Sequence, residues 1–418
     1  MMRRSAVFFT SGIALLFLSW PALAAGYRTM TGSGSDEVPV LVVTGTPYEM
    51  GYALGQLMKD EVRGLLGTYL QIAQTGDAKR FSNETLDAAW ESISPHTSDR
   101  FKEELRGVAD GTGMSLDAVR RAHMVPVVAD FACSGVAVWG KASANGDLYQ
   151  IRNLDYETGA GLQDYPAVVI YIPDKGIPHV NVTFAGSIGV NTGMNAEGVA
   201  LTEIGDTPGG DYPFDLNGVH FTTMFRDILY DAHNLDEAVS MIKQAPRIKK
   251  YHFIVGDGKN KKAVKMKAHA PELLIWNDND PKDEAAPNVF ENIVYHAEGR
   301  NPIAFAHLSK YQGKYDPQRM IELSKSVPIK GSNLLDVVYD ATTLELWVAY
   351  AEKVENAYLR PYVHVKMKDY LPYNPKGEHL IVTKETTATG PSKVARLAVL
   401  AAPLLLLTGV ATWWIRWA

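Results

Sequence analysis

Apolar positions recur at intervals of three and four through the first third of the chain. In YEMGYALGQLMKDEVRGLLGTYLQIA, residues Met50, Leu54, Met58, Val62 and Leu65 fall on one side together with Leu57, the spacing of an amphipathic helix. Further helices are expected from Glu84 to Ile93 with Asn83 as a cap, and from Asp99 to Thr112 with Gly111 and Gly113 as stops. Another starts after Ser115 and ends near Pro126. Beyond Cys133 the pattern shortens. Strands are expected at Ser134 to Trp139, Leu148 to Asn153, Ala167 to Ile172, His179 to Phe184 and Gly198 to Glu203, separated by turns such as NGD, PDKG and MNAEG. Helices return at Thr222 to Tyr230, Leu235 to Gln244 and Asp316 to Lys325, with strands at Tyr251 to Gly256, Lys261 to Ala268, Leu273 to Asn277 and Leu346 to Tyr350. The connections after Cys133 are too short for crossover helices, so the pattern predicts an α+β protein with layered antiparallel sheets rather than a doubly wound parallel one.

Both ends are more continuously apolar. Arg3 and Arg4 precede the run Ala6 to Trp20, and Ala22-Leu23-Ala24 fits a cleavage site, so residues 1–24 read as a secretory signal peptide. An uncleaved signal anchor is the competing reading. Leu397 to Ile415 carries no charge and is long enough to cross a bilayer, with Trp413, Trp414 and Trp417 suited to an interfacial belt. A transmembrane anchor is therefore expected at 397–415, preceded by a tether at 373–396. The corresponding expectation for location is an exported, membrane-anchored protein with its bulk on the periplasmic or extracellular side. A terminal amphipathic or buried helix is the alternative.

Of 418 residues, 46% are hydrophobic and 10% aromatic, enough for a large core, while the formal net charge of -6 gives no basic field for nucleic acid. Cys133 is the single cysteine, so no intramolecular disulfide can form. Such a residue reads either as a small buried hydrophobe or as a reactive thiol. Metal binding is not indicated, because no HExxH and no second cysteine at ligand spacing occur, and no cofactor motif such as GxGxxG is present. The strand after Cys133, the turn at Asn145-Gly146-Asp147 and the returning strand form a hairpin that brings Arg152 and Asp155 back toward the thiol. A strand-end ion pair would look the same.

At this point the chain resembles a known superfamily. Cys133-Ser134, RNLDY at Arg152 to Tyr156 and GSIGVNTGMNAEGVALT at Gly186 to Thr202 are similar to the N-terminal-nucleophile (Ntn) cysteine hydrolases of the penicillin V acylase and bile salt hydrolase group. GYALGQLMKDEV at Gly51 to Val62 and FKEELRGVADGTGMSLDAV at Phe101 to Val119 resemble the pro-region of its autoproteolytic branch, the isopenicillin N acyltransferases. The resemblance spans roughly Pro47 to Ala351. It implies an αββα sandwich of two antiparallel sheets between helical layers. It also implies self-cleavage at Ala132-Cys133, giving a helical α-chain at 25–132 and a catalytic β-chain core at 133–372 as an α/β heterodimer. The freed α-amine, with an ordinary pKa near 8, would then serve as base for the thiol on the same residue.

By the same resemblance Asp155 would hold the cysteine amine, Arg152 would stabilise charge and contact substrate, and Arg319 in YDPQRMIEL would complete the site. Asn191 and Asn195 are candidates for the oxyanion or substrate, and equally are turn residues. Where the branch has an Asn-His pair this chain has Tyr295-His296, leaving His296 and Asn292 as candidates, and Ala132 stands where glycine often precedes the nucleophile. The expected partner is a small N-acylated or lipid-like amide. Two other readings stay open at this level: a catalytically inactive, membrane-anchored binding protein of the same fold, and a cysteine protease using a histidine such as His123.

Overall fold

The computed structural model describes residues 25–156, 158–205, 214–287, 289–373 and 381–386. The chain opens with two strands, β1 (Ala25–Thr31) and β2 (Val38–Gly45). Five helices follow: α1 (Pro47–Leu57), α2 (Lys59–Gly76), α3 (Asn83–Ile93), α4 (Asp99–Thr112) and α5 (Leu116–Val128). Next come β3 (Ala132–Gly140), β4 (Gly146–Asp155), β5 (Pro166–Pro173), β6 (His179–Phe184), β7 (Thr192–Asn195) and β8 (Val199–Gly205), then α6 (Phe221–Asp231) and α7 (Leu235–Gln244). The order continues with β9 (Lys250–Asp257), β10 (Lys262–His269), β11 (Leu274–Trp276), β12 (Ile293–His296), α8 (Asn301–Tyr311) and α9 (Pro317–Ser326). It closes with β13 (Asn333–Asp340), β14 (Glu345–Tyr350), β15 (Val363–Lys366) and β16 (Ile381–Thr386).

These strands make a ten-stranded sheet, β11-β10-β9-β8-β7-β6-β5-β2-β1-β16, and a six-stranded one, β12-β3-β4-β13-β14-β15. The smaller is antiparallel throughout, whereas the larger includes two parallel pairs, β2 with β5 and β1 with β16. Side chains alternate across each strand, and β3 shows the result. Val136 and Val138 pack outward with Ile151, Leu308 and Leu323 under α8 and α9, while Cys133 and Ala137 face the inter-sheet core with Val337 and Ile254. On the other side α6 and α7 cover the larger sheet through Phe225, Leu229, Phe253 and Val255. The layers run helix, sheet, sheet, helix.

Residues 25–45 change the expected division of the chain. The segment 25–132 is not purely helical, because β1 and β2 lie inside the large sheet, with Val40 to Gly45 in register with Val168 to Pro173 of β5. Part of the expected tether is likewise built in, since β16 pairs with β1 at the sheet edge. Helix α5 continues through Pro126 instead of ending there, and its last turn delivers the chain to β3.

The membrane-spanning part of the expected architecture is corrected. No helix among the described residues is long and apolar enough to cross a membrane; a span needs about 20 apolar residues, and each described helix carries ionisable side chains. The longest, α2, opens on Lys59-Asp60-Glu61 and buries only Val62, Leu65 and Leu66. The stretch Leu397 to Ile415 lies outside the described residues, as does the expected signal peptide at 1–24. The transmembrane helix, the membrane as a partner and the exported, membrane-anchored location are therefore withdrawn.

The helical layer is fastened to the sandwich by one buried ion pair. Arg226 of α6 donates through Nη2 to both Glu104 carboxylate oxygens, at 2.7 and 2.8 Å, and both side chains are fully buried. Glu104 reaches that depth because α4 packs backbone to backbone on α1: a Cβ at Gly107 would lie 2.1 Å from the Tyr48 carbonyl oxygen. Gly107→Ala should force α4 away from α1 and cost about 1–3 kcal/mol, read as a lower urea midpoint with an unchanged slope.

Candidate active site

Cys133 is the second residue of β3 and fully buried. The chain reaches it by passing tightly under the end of β8, where Gly205 leaves room that a side chain would fill: a Cβ there would lie 2.0 Å from the Phe131 carbonyl oxygen. Across the ladder Cys133 pairs with Leu154, Gly135 with Arg152 and Ala132 with Asp155. The β3-β4 hairpin expected from the sequence thus places Arg152 on the inner face, next to the sulfur.

Arg152 Nη2 donates to Cys133 Sγ at 3.1 Å and to Glu203 Oε2 at 3.2 Å. The thiol faces the same Glu203 oxygen at 3.6 Å. Both Arg152 and Glu203 are wholly buried. Burial pushes the Cys133 thiol well above its ordinary value, with Arg152 opposing and Glu203 and Asp155 adding to the rise. Burial also lifts the Glu203 carboxyl to about 7 in spite of Arg152. The sulfur is therefore held in place beside Arg152 with its proton favoured.

The backbone of Cys133 has its own set of partners. Its N–H donates to Glu298 Oε1 at 3.5 Å, and its carbonyl oxygen accepts from Arg300 Nη2 at 3.0 Å. Arg300 Nη2 also donates to Asp155 Oδ2 at 3.0 Å, while Asn333 Nδ2 donates to Asp155 Oδ1 at 3.2 Å and to Asp336 Oδ1 at 2.7 Å. Asp155 is raised to about 7 and Glu298 to about 8, in each case chiefly by burial and with Arg300 opposing.

Of the residues expected from the sequence, Cys133, Arg152 and Asp155 come together, with Ala132 buried beside them. Asp155 is held by Arg300 and Asn333, and the Cys133 nitrogen is taken by Glu298 instead. The other candidates stand elsewhere or in other contacts. Asn195 fastens a turn, donating to the Leu229 and Ala232 carbonyls and accepting from Glu197 and Val199 N–H. Asn292 lies opposite the far end of β3, bonded to Lys141 N–H and to Asp278. His296 pairs with Gly135 and its ring lies tilted against that of His252, centroids 3.9 Å apart, with burial lowering it to about 3. Arg319 is a half-exposed residue of α9, paired with Glu322 and set over the Tyr311 ring. Asn191 lines a cleft, its Oδ1 buried and without a partner among the described residues.

Glu203, Glu298, Arg300 and Asn333 were not anticipated. Glu203 had a signal, a charge inside the apolar strand VALTEIG; the other three had none. Among the described residues no group of acidic, histidine or cysteine side chains is arranged to hold a metal ion.

The cleft borders the cysteine through Phe131, just ahead of it, and Leu154, its cross-strand partner. Met124, Leu162 and Phe184 extend its apolar lining, with His123, Asn191, Thr183 and Thr222 on its polar side.

The description acyl-coenzyme A:6-aminopenicillanic acid acyl-transferase belongs to the family whose model matches residues 142–348 of this chain. That stretch begins after Cys133 and takes in Arg152, Asp155, Glu203, Glu298, Arg300 and Asn333. The chain is 28% identical over 299 residues to Protein dcd1B of Dictyostelium discoideum, covering 65% of this chain and 59% of that protein. It is 24% identical over 303 residues to Protein dcd1A of the same organism, covering 63% of this chain and 67% of that one. With N-acylethanolamine-hydrolyzing acid amidase of Mus musculus it shares 25% identity over 171 residues, 39% of this chain and 46% of the amidase. The similarity to this acyl-transferase family and to these amidases agrees with the Ntn-hydrolase resemblance carried by Cys133, Arg152 and Asp155.

The raised carboxyls set a pH dependence of stability. Asp155, Glu203 and Glu298 hold protons in the folded chain that the unfolded chain has already lost above about pH 5, so the native state binds more protons and loses stability as they ionise. Below about pH 6.5 the lowered His123 and His296 oppose this trend. The clean window therefore runs from about pH 6.5 to 8. Melting temperature should fall across it, and Glu203→Gln should flatten the fall.

Proposed function

We propose that this protein is a self-processing amidase or acyltransferase in which Cys133 first cuts the Ala132-Cys133 bond and then, as an N-terminal residue, cleaves or transfers the acyl group of a nonpeptide amide. The observation that carries this reading is the contact of the Cys133 sulfur with Arg152 Nη2 at 3.1 Å, sealed from water at the first turn of the strand and bordering an apolar cleft.

In the first reaction Sγ attacks the Ala132 carbonyl carbon, the C–N bond breaks, and water resolves the resulting thioester to an Ala132 carboxylate and a free Cys133. In the second, the new α-amine takes the thiol proton and the sulfur attacks the substrate carbonyl. The ammonium then returns the proton to the departing amine. Water completes a hydrolysis; an acceptor amine completes a transfer. Arg152 keeps a positive charge beside the sulfur through both reactions, which favours the thiolate. Asp155 and Arg300 fix the Cys133 backbone so that small misalignments do not cost rate.

The cleft supports a small N-acylated or lipid-like amide as substrate. Phe131, Met124, Leu162 and Phe184 offer an apolar bed for an acyl chain, and Asn191 supplies an amide group at the polar side. N-acylethanolamine-hydrolyzing acid amidase, one of the relatives, has a name that points to a substrate of the same chemistry.

Intact-mass and N-terminal analysis of the purified protein tests the reading. Wild type should yield fragments that part at Ala132-Cys133, with Cys133 as a new N-terminus, and Cys133→Ala should remain one chain and lose all amidase activity. An intact wild type after prolonged incubation would refute self-processing.

A further inference from the structure

Resting on the reading just given, one step of self-cleavage still lacks an agent. When the Ala132-Cys133 bond breaks, the nitrogen departs as an amine and must gain a proton. Neither Arg152 nor Arg300 supplies one at neutral pH, and Asp155 is engaged by Arg300 and Asn333.

We propose that Glu298 is the acid that protonates the Cys133 nitrogen as the Ala132-Cys133 bond opens, making it a catalytic residue of self-cleavage.

Three independent observations converge on it. The first is placement: the β12-β3 ladder closes with His296 facing Gly135, and the short turn that follows carries Glu298, two residues on, to the start of β3 where Cys133 lies. The second is contact: Oε1 lies 3.5 Å from that nitrogen, long for a ground-state hydrogen bond and within the range that tightens during reaction. The third is backbone: Glu298 has φ +50°, in the left-handed region that glycine favours. A glutamate held there is fixed by its surroundings, and such positions concentrate at functional sites.

The surroundings suit the role. The carboxyl is mostly buried, and burial keeps its proton on at neutral pH by raising it to about 8. Arg300 Nη1 lies 4.0 Å from the second oxygen and orients the group. The labour is divided by atom: Glu203 meets the sulfur and Glu298 meets the nitrogen. In the balanced step the thiol proton passes to the Glu203 carboxylate, Sγ bonds to the Ala132 carbonyl carbon, the C–N bond breaks, and the Glu298 proton moves to nitrogen. The products are a thioester, a neutral amine, a protonated Glu203 and an ionised Glu298.

The test uses the full chain and follows the rate at which the two fragments appear by intact mass, with circular dichroism and a melting curve as controls for folding. Glu298→Gln keeps the shape and loses the proton, and should slow cleavage at least about 100-fold. Glu298→Asp, a poorer fit that remains an acid, should cleave faster than Glu298→Gln. Hydroxylamine, which cuts thioesters, should not restore fragments in Glu298→Gln, because the block precedes the thioester. Cleavage of Glu298→Gln at the wild-type rate, or at or above that of Glu298→Asp, would overturn the assignment. Rescue by hydroxylamine would also overturn it, by placing Glu298 after C–N scission. A wild type that stays intact sinks the self-processing reading itself, an outcome distinct from fragments that form equally in wild type and Glu298→Gln.

Discussion

Everything around Cys133 depends on charges that water does not reach. Arg152 sits between the sulfur and Glu203 with no exposed surface on either charged partner, and such pairs are expensive to bury and more expensive to break. A second cation, Arg300, bridges the Cys133 carbonyl and Asp155. Two guanidinium groups thus face three carboxyls, with Arg152, Glu203 and Asp155 sealed inside and Arg300 and Glu298 at the partly exposed edge. Full ionisation would leave a net negative charge beside a nucleophile that must itself become negative. Burial eases this by raising the carboxyls to about 7 for Asp155 and Glu203 and about 8 for Glu298, so that only part of them is ionised near neutral pH.

The two-sheet architecture makes that concentration of charge affordable in geometric terms. Alternation along β3 sends Val136 and Val138 into the outer layer and leaves Cys133 facing inward. The cross-strand register then sets Arg152 beside Gly135, whose missing side chain lets Thr202 and Ile204 of the facing sheet approach closely. Glu203 comes from the facing sheet, and Arg300 and Glu298 from the short turn that follows β12. Four separate segments meet at one residue, so the site exists only when the sandwich is closed.

The sequence disclosed the parts of this arrangement that depend on local pattern. The β3-β4 hairpin, the turn at Asn145-Gly146-Asp147 and the pairing of Arg152 and Asp155 with the cysteine follow from period-two spacing and one short loop. The helices at Asp99–Thr112 and Leu235–Gln244 were equally legible from their spacing and stops. What was hidden depends on contact between distant segments. Arg300 and Glu298 sit in AEGR, a stretch with no periodicity, and reach Cys133 only because β12 adds to the edge of the smaller sheet. Arg319 and Asn292, conspicuous in sequence, are engaged by Glu322 and by Asp278 at other places. β1 and β2 pair with each other, but their places in the sheet rest on β16 and β5, more than a hundred residues away, and β16 lies in a stretch rich in turn-forming residues.

The placement of β1 and β2 inside the large sheet has a bearing on what a cut at Ala132-Cys133 would leave behind. The two pieces would share a continuous hydrogen-bonded sheet, with β2 against β5 on one side and β1 against β16 on the other, and would share the Glu104–Arg226 pair besides. The nicked molecule would then be held together as firmly as the uncut one, yet could no longer regain its fold alone. Once denatured, its halves would have to find each other by diffusion, and recovery would depend on dilution. A reaction that removes one peptide bond would convert a chain that folds by itself into an assembly whose folded state is remembered and not readily remade.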